Sequence, residues 1–294
     1  MRTVGVGLLQ LMLAFAASLQ FLTRLPVPIR TTGSDAEFRR STIFFPAAGL
    51  IIGAIVAVAG YGFSFIFPVY VNAILILGLW TFLSGALHLD GLMDSADALL
   101  SHRSPERMLE IMKDSRVGAM GVIVCVLYLL LKMSLIHHLL TSGGVEGLFA
   151  LAVIPVWSRA FMATAIAGWP YARSGPGLGQ LFRTVKGKHA MGAAWVAGVL
   201  SLLVVGFGVE WSGVWNTGIN SIVESWDLDG FGLGELLEKV TFLAIMAVVT
   251  YVVGSLIAAA ISRKLGGLTG DIYGALNEII EVALLLMLVG WMFA

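Results

Sequence analysis

Apolar and polar positions fall along this chain in long blocks, without the short amphipathic rhythm of a water-soluble fold. Apolar runs of approximately 4–22, 43–67, 70–88, 117–138, 148–167, 190–209, 240–261 and 277–293 each approach the roughly 20 residues that carry a helix across a bilayer. Backbone polar groups inside lipid must be satisfied within the segment, so such runs fold as helices. The pattern predicts an all-α polytopic membrane protein, with about eight transmembrane helices in one bundle. The first and last runs are short and also suit the interface. Arg2 and the run from Val4 to Leu22 resemble a signal peptide, with Ala14-Phe15-Ala16 as a cleavage-like triplet. That triplet lies inside the run rather than after it, so the segment is read as a first span. No linker or repeat divides the chain, and residues 1–294 are expected to form a single integral membrane domain.

Composition agrees. Only 12% of the 294 residues are charged and 58% are hydrophobic, against about 25% charged in a soluble domain. The formal net charge of zero argues against a nucleic-acid partner held by bulk positive field. The lone Cys125 excludes an intrachain disulfide. Polar loops alternate in basic content. Arg24, Arg30, Arg39, Arg40, Arg103, Arg107, Lys113, Arg116, Arg173, Arg183, Lys186, Lys188, Arg263 and Lys264 fall on one side, fourteen of the eighteen Lys and Arg. The 210–238 loop on the other side is acidic. Such bias marks the cytoplasmic side, so these basic loops are expected to face the cytoplasm.

Acids follow no comparable sidedness rule, and their placement is the more informative. Asp90, Asp94 and Asp97, at the end of the 70–88 run, are spaced i, i+4 and i+7 on one helical face. Stacked like charges repel unless a cation sits among them, and Mg²⁺ favours carboxylate, water and phosphate oxygens. A solvated helix face is the alternative. A second stripe, Asp271, Gly274, Glu278 and Glu281, leads into the last run. Acids also favour a helix N-terminus, which suits Asp271, whereas Glu281 is too deep for that account. The expected metal ligands are therefore Asp90, Asp94, Asp97, Asp271 and Glu278.

Cations and small residues lie between the stripes. The segment Met112-Lys113-Asp114-Ser115-Arg116-Val117-Gly118 offers Lys113 and Arg116 for catalysis and Asp114 for binding. The loop Arg173-Ser174-Gly175-Pro176-Gly177, followed by Arg183, suits phosphate but lacks a Walker A ending. Arg159 within the fifth run needs a carboxylate or a substrate phosphate as partner. His88, one turn from the aspartates, is a candidate substrate-binding group. His137-His138 falls on the opposite side, and no zinc-type spacing occurs.

Taken together, His88-Leu89-Asp90-Gly91-Leu92-Met93-Asp94, Ile111-Met112-Lys113-Asp114-Ser115-Arg116-Val117-Gly118 and Gly266-Gly267-Leu268-Thr269-Gly270-Asp271 through Glu278 resemble the signature segments of the bacterial cobalamin synthase family, the adenosylcobinamide-GDP ribazoletransferases. Phe21-Leu22-Thr23-Arg24-Leu25-Pro26-Val27-Pro28 and Phe44-Phe45-Pro46-Ala47-Ala48-Gly49-Leu50 fit as well. Met93 replaces an expected small residue, and the 210–238 loop matches nothing in the family. The resemblance implies a Mg²⁺-dependent inner-membrane transferase that joins α-ribazole, or its 5′-phosphate, to adenosylcobinamide-GDP and releases GMP. On that reading Asp94 or Asp97 accepts the acceptor's proton, and Lys113, Arg116 and Arg159 stabilise the leaving phosphate. Membrane lipid is the other expected partner, nucleic acid is not one, and a homo-oligomer stays open. Two alternatives remain. A CDP-alcohol phosphotransferase would show Asp-Gly-x-x-Ala-Arg, where this chain has Asp90-Gly91-Leu92-Met93-Asp94-Ser95. A cation-coupled transporter would place its acids nearer the membrane midplane.

Overall fold

The computed structural model describes residues 2–173, 178–207 and 233–292. The 210–238 loop except its last residues, and Ser174–Gly177, lie outside them. Eleven α-helices and one short 3₁₀ turn, Thr42–Phe44, make up the described fold. In chain order the helices are α1 Arg2–Leu22, α2 Asp35–Ser41, α3 Phe45–Ser64, α4 Val69–Leu83, α5 Leu87–Leu99, α6 Pro105–Ile111, α7 Ala119–Gly168, α8 Leu178–Arg183, α9 Gly187–Phe207, α10 Leu233–Leu265 and α11 Gly270–Met292.

α7 is two helices. Gly144, at φ 51° and ψ −129°, leaves the helical region at a conformation that glycine tolerates. Lys132 and Arg159 both reach Glu281, although an unbroken helix would separate them by about 40 Å. The arms Ala119–Gly144 and Gly147–Gly168 therefore fold back on one another. Gly147 permits this, since a Cβ there would lie 2.5 Å from the Leu139 carbonyl oxygen. The second arm is the centre of the bundle, 89% buried against 22% for the first. α3 packs on it through Gly49 and Gly53, where a Cβ would overlap the backbone of Pro155 and Ala152. Small residues let membrane helices approach this closely.

Six helices are long and apolar enough to cross a membrane, or seven if the bent pair α4–α5 counts as one. The chain is thus an all-helical multi-pass membrane protein, with one or two fewer spans than the eight expected. Two departures explain the difference. The apolar part of α1, Gly7–Leu22, is short. The expected 70–88 span stops at Leu83, because Gly85 and Ala86 take left-handed φ values of 64° and 55°. The chain turns there by 88°, and the aspartates sit on a separate helix, α5, rather than on the end of a straight span. Exposed Val58, Phe82, Leu127, Trp195 and Leu256 give the bundle an apolar outer face.

Loops remote in sequence meet at one end of the bundle. The Arg24 amide donates to the Leu83 carbonyl at 2.8 Å. Lys264 Nζ donates to the Leu99 carbonyl at 3.1 Å. An isolated parallel bridge joins Tyr171 to Leu268, with amide-to-carbonyl bonds of 2.8 Å from Ala172 to Leu268 and from Leu268 to Pro170. The basic loops thus gather where α5 lies.

Candidate active site

The two acidic stripes meet where α5 crosses α11. The seam is glycine-lined: a Cβ on Gly91 would lie 2.6 Å from the Asp271 carbonyl oxygen, and one on Gly274 would lie 3.1 Å from His88 Cα. With no side chain between the backbones, Asp90 and Asp94 stand beside the first turn of α11. Asp94 lies within electrostatic reach of Asp90, Asp271 and Asp97, with Arg173 as the nearby cation. Neither the Asp90 nor the Asp94 carboxylate forms a hydrogen bond or ion pair among the described residues. Like charges crowded in this way repel one another unless a cation sits among them.

Asp97 is occupied differently. Its two oxygens accept from the amides of Gly118 and Gly121, each at 2.7 Å, so it caps the first turn of α7. A Cβ on Gly121 would lie 2.5 Å from one of those oxygens, which accounts for a small residue there.

Asp271 opens α11 and accepts from Arg173 Nη2 at 2.7 Å; Thr269 Oγ1 donates to the same oxygen at 3.3 Å. The Tyr171–Leu268 bridge brings Arg173 to this point across 98 positions of sequence. Arg183, on α8, donates to the Arg173 carbonyl at 3.2 Å. Both arginines expected on the phosphate loop are therefore at the site. The Gly-rich residues between them lie outside the described part.

Lys113, Asp114 and Arg116 form an exposed loop before α7. Arg116 Nη2 donates to Asp114 at 2.6 Å, and the arginine side chain is 87% exposed. The Arg116 guanidinium holds the Asp114 carboxyl down to about 2, so the acid stays ionised at neutral pH. This loop is tied to the site through Asp97, which holds the adjoining Gly118.

Glu278 and Arg159 belong to a second, buried cluster. Lys132 Nζ donates to Glu278 at 3.1 Å and to Glu281. Arg159 Nη1 pairs with the other oxygen of Glu281, and Tyr128 donates to Glu278. Lys132 also sits 4.4 Å above the Trp80 ring. Two acids and two bases thus cancel in the bundle interior, where an isolated charge is costly. Glu278 serves here as a counter-ion rather than beside the aspartates, and the partner of Arg159 is Glu281. His88, 1% exposed, borders this cluster: its Nδ1 lies 3.0 Å from Asn277 Nδ2. Lys132 and Tyr128 belong to no recognisable motif in the sequence. The lone lysine amid the 117–138 apolar run is their one local signal.

Among the described residues no three acid, histidine or cysteine side chains converge as a ready metal cage. Mg²⁺ does not require one. It dehydrates reluctantly and usually binds through one or two carboxylates plus water and substrate phosphate. Asp90 and Asp271, hard oxygen donors lining one cavity, fit that habit.

A family model described as cobalamin-5-phosphate synthase matches residues 14–289. The adenosylcobinamide-GDP ribazoletransferase of Desulfitobacterium hafniense is 36% identical over 272 residues, 92% of this chain and 93% of that protein. The protein of that name from Brevibacillus brevis is 34% identical, covering 94% and 98%; the one from Pseudomonas savastanoi is 37% identical, covering 94% and 99%. No solved structure matches.

Proposed function

The chain belongs to the cobalamin-5-phosphate synthase family, and on that premise we propose that it joins α-ribazole or its 5′-phosphate to adenosylcobinamide-GDP with release of GMP. The observation that carries the reading is the convergence of Asp90, Asp94 and Asp271, from two helices, with Arg173 and Arg183 at the same corner. Transfer of a phosphoryl group needs little covalent help from the protein; it needs positioning and charge neutralisation. In the proposed step a ribose hydroxyl oxygen of the acceptor bonds to the corrinoid-linked phosphorus. The bond from that phosphorus to GMP breaks, and GMP departs with the electron pair. Asp94, one of the two aspartates without a protein donor and the one not assigned to the metal, accepts the hydroxyl proton. Arg173 and Arg183 neutralise the departing phosphate, with Lys113 and Arg116 on the loop tied down by Asp97.

Asp90 and Asp271 would hold Mg²⁺, which supplies neutralisation of the nonbridging diphosphate oxygens. Asp97 and Glu278 are given structural parts instead, as cap and counter-ion. The basic loops beside the aspartates support a site facing the cytoplasm from a bacterial inner membrane, with lipid against the apolar outer face. A transporter would draw on the intramembrane acids, and Glu278 and Glu281 are each ion-paired within the bundle.

The test is GMP release from adenosylcobinamide-GDP by the purified full chain. Release that depends on both α-ribazole and Mg²⁺ is expected. Equal turnover in excess chelator would remove the metal, and incorporation of CDP-alcohols into lipid would replace the reaction.

A further inference from the structure

A cavity of about 130 Å³ lies directly behind the aspartates. Most of its wall is apolar, formed by Phe21 and Leu22 of α1, Met162 and Ile166 of α7, Phe182 of α8 and Tyr273 of α11. Asp90 and Asp271 stand in the same lining. The aromatic part of the wall is braced: Phe182 packs edge-on against Tyr273 at 5.2 Å within the lining, and Phe38, outside it, packs against Phe21 at 5.5 Å and Phe182 at 5.6 Å. Such a wall suits another aromatic ring. An apolar cavity of about 150 Å³ admits a ring the size of benzene, so the volume is of that order. Phe182, Tyr273 and Ile166 also line a neighbouring cavity of about 200 Å³, which gives the wall room to retreat before a fused ring.

Two lining residues carry buried polar atoms without a partner among the described residues. They are the hydroxyl of Tyr273, which is 3% exposed, and Nε2 of His88, which is 1% exposed. Buried polar atoms are nearly always satisfied, and a ligand with one or two hydrogen-bonding atoms on an otherwise apolar ring would satisfy these.

We propose that this cavity is the seat of the acceptor's base: it takes a flat, mostly apolar aromatic ring system whose sugar extends towards Asp90 and Asp271. The inference rests on the proposed reaction only for the identity of the acceptor. α-Ribazole carries a dimethylated benzimidazole with one ring nitrogen free to accept, which the Tyr273 O–H answers. The other aromatic group in the reaction, guanine, has an exocyclic amine, a carbonyl and a ring N–H. With Asp90 and Asp271 at the sugar end, the Tyr273 hydroxyl and His88 Nε2 can meet only some of those groups, and the rest would face Phe21, Leu22, Met162 and Ile166, at a cost that disfavours guanine here.

The experiment measures equilibrium binding of α-ribazole and of GMP to the full-length protein in lipid nanodiscs, comparing wild type with Ile166→Trp and Tyr273→Phe. Ile166→Trp fills the cavity and is expected to weaken α-ribazole binding about tenfold. Tyr273→Phe keeps the ring and removes the donor, so about fivefold weakening is expected. GMP affinity should stay within about twofold in both. The proposal is overturned if wild type does not bind α-ribazole, if Tyr273→Phe binds it as wild type does, or if GMP is the ligand that weakens. Should Ile166→Trp fail to fold, Tyr273→Phe decides alone. GMP release from adenosylcobinamide-GDP, followed on the same preparations, separates the two readings. Turnover with unchanged α-ribazole affinity in the variants sinks the cavity assignment only. Weakened ring binding without turnover in wild type sinks the reaction only.

Discussion

Lys132 and Glu278 stand 146 positions apart in the chain and meet at 3.1 Å inside the bundle. Their contact, shared with Glu281, Arg159 and Tyr128, locks the outer arm of α7 to α11. Removing one member of a buried ion pair strands the other, a loss of about 3–5 kcal/mol. Lys132→Met should therefore lower the unfolding midpoint sharply in detergent. Adding Glu278→Gln to it should recover a large part of the loss, because the stranded charge goes too. Strictly additive effects in thermal unfolding of the four proteins of this cycle would argue against the pairing.

Asp94 and Asp97, three residues apart, are expected to separate stability from turnover. Asn at position 97 accepts from only one of the Gly118 and Gly121 amides, and loss of a helix cap costs about 1–2 kcal/mol. Asp94 has no protein donor and several like-charged neighbours, so Asp94→Asn should leave the melting temperature unchanged or raise it while GMP release collapses. A melting temperature that falls equally in both variants would erase the distinction drawn between them.

The glycine seam gives a third expectation. A methyl group on Gly91 or Gly274 would drive α5 off α11. Gly91→Ala, blocked by the Asp271 carbonyl, should cost more activity than Gly274→Ala, whose nearest obstacle is the His88 Cα at 3.1 Å. Assays on membranes with matched expression would read the order directly, and the reverse order would count against this packing.

Arg116 reaches into solvent and, among the described residues, pairs with Asp114 alone. Arg116→Ala should leave thermal stability where it was, as exposed pairs contribute little. Asp114 is depressed to about 2, so its ionised form is fully present above the ordinary aspartate range and lost only as pH falls through about 2. An activity loss in Arg116→Ala should therefore be the same at pH 6 and pH 8. A loss that appears at one of those values alone would assign the effect to some other group.

The apolar blocks placed every long helix, because the requirement to satisfy backbone groups in lipid leaves little choice of structure. The spacing of Asp90, Asp94 and Asp97 likewise gave their common helix. What local spacing missed was set by distant contacts. The run through Ser84-Gly85-Ala86 reads as uninterrupted membrane helix, yet Arg24 packs where a Gly85 side chain would stand, and the chain turns. Glu278 shares a face with Asp271, but depth along that face decides its partner, and Lys132 lies on another helix. Arg173 was legible as a phosphate-loop cation. Its pairing with Asp271 depends on the Tyr171–Leu268 bridge, which has no local signature.

The buried charge cluster also orders the making of the protein. Lys132 and Arg159 belong to α7, and the acids that neutralise them belong to α11, between 122 and 149 positions later. At ribosomal speed that gap is roughly ten seconds. Through that interval two cations must wait at the membrane without their anions, held at the insertion machinery or drawn towards the headgroups. The bundle can close only when its last helix arrives, so a nascent chain cut short before α11 is marked as incomplete by its own unpaired charge.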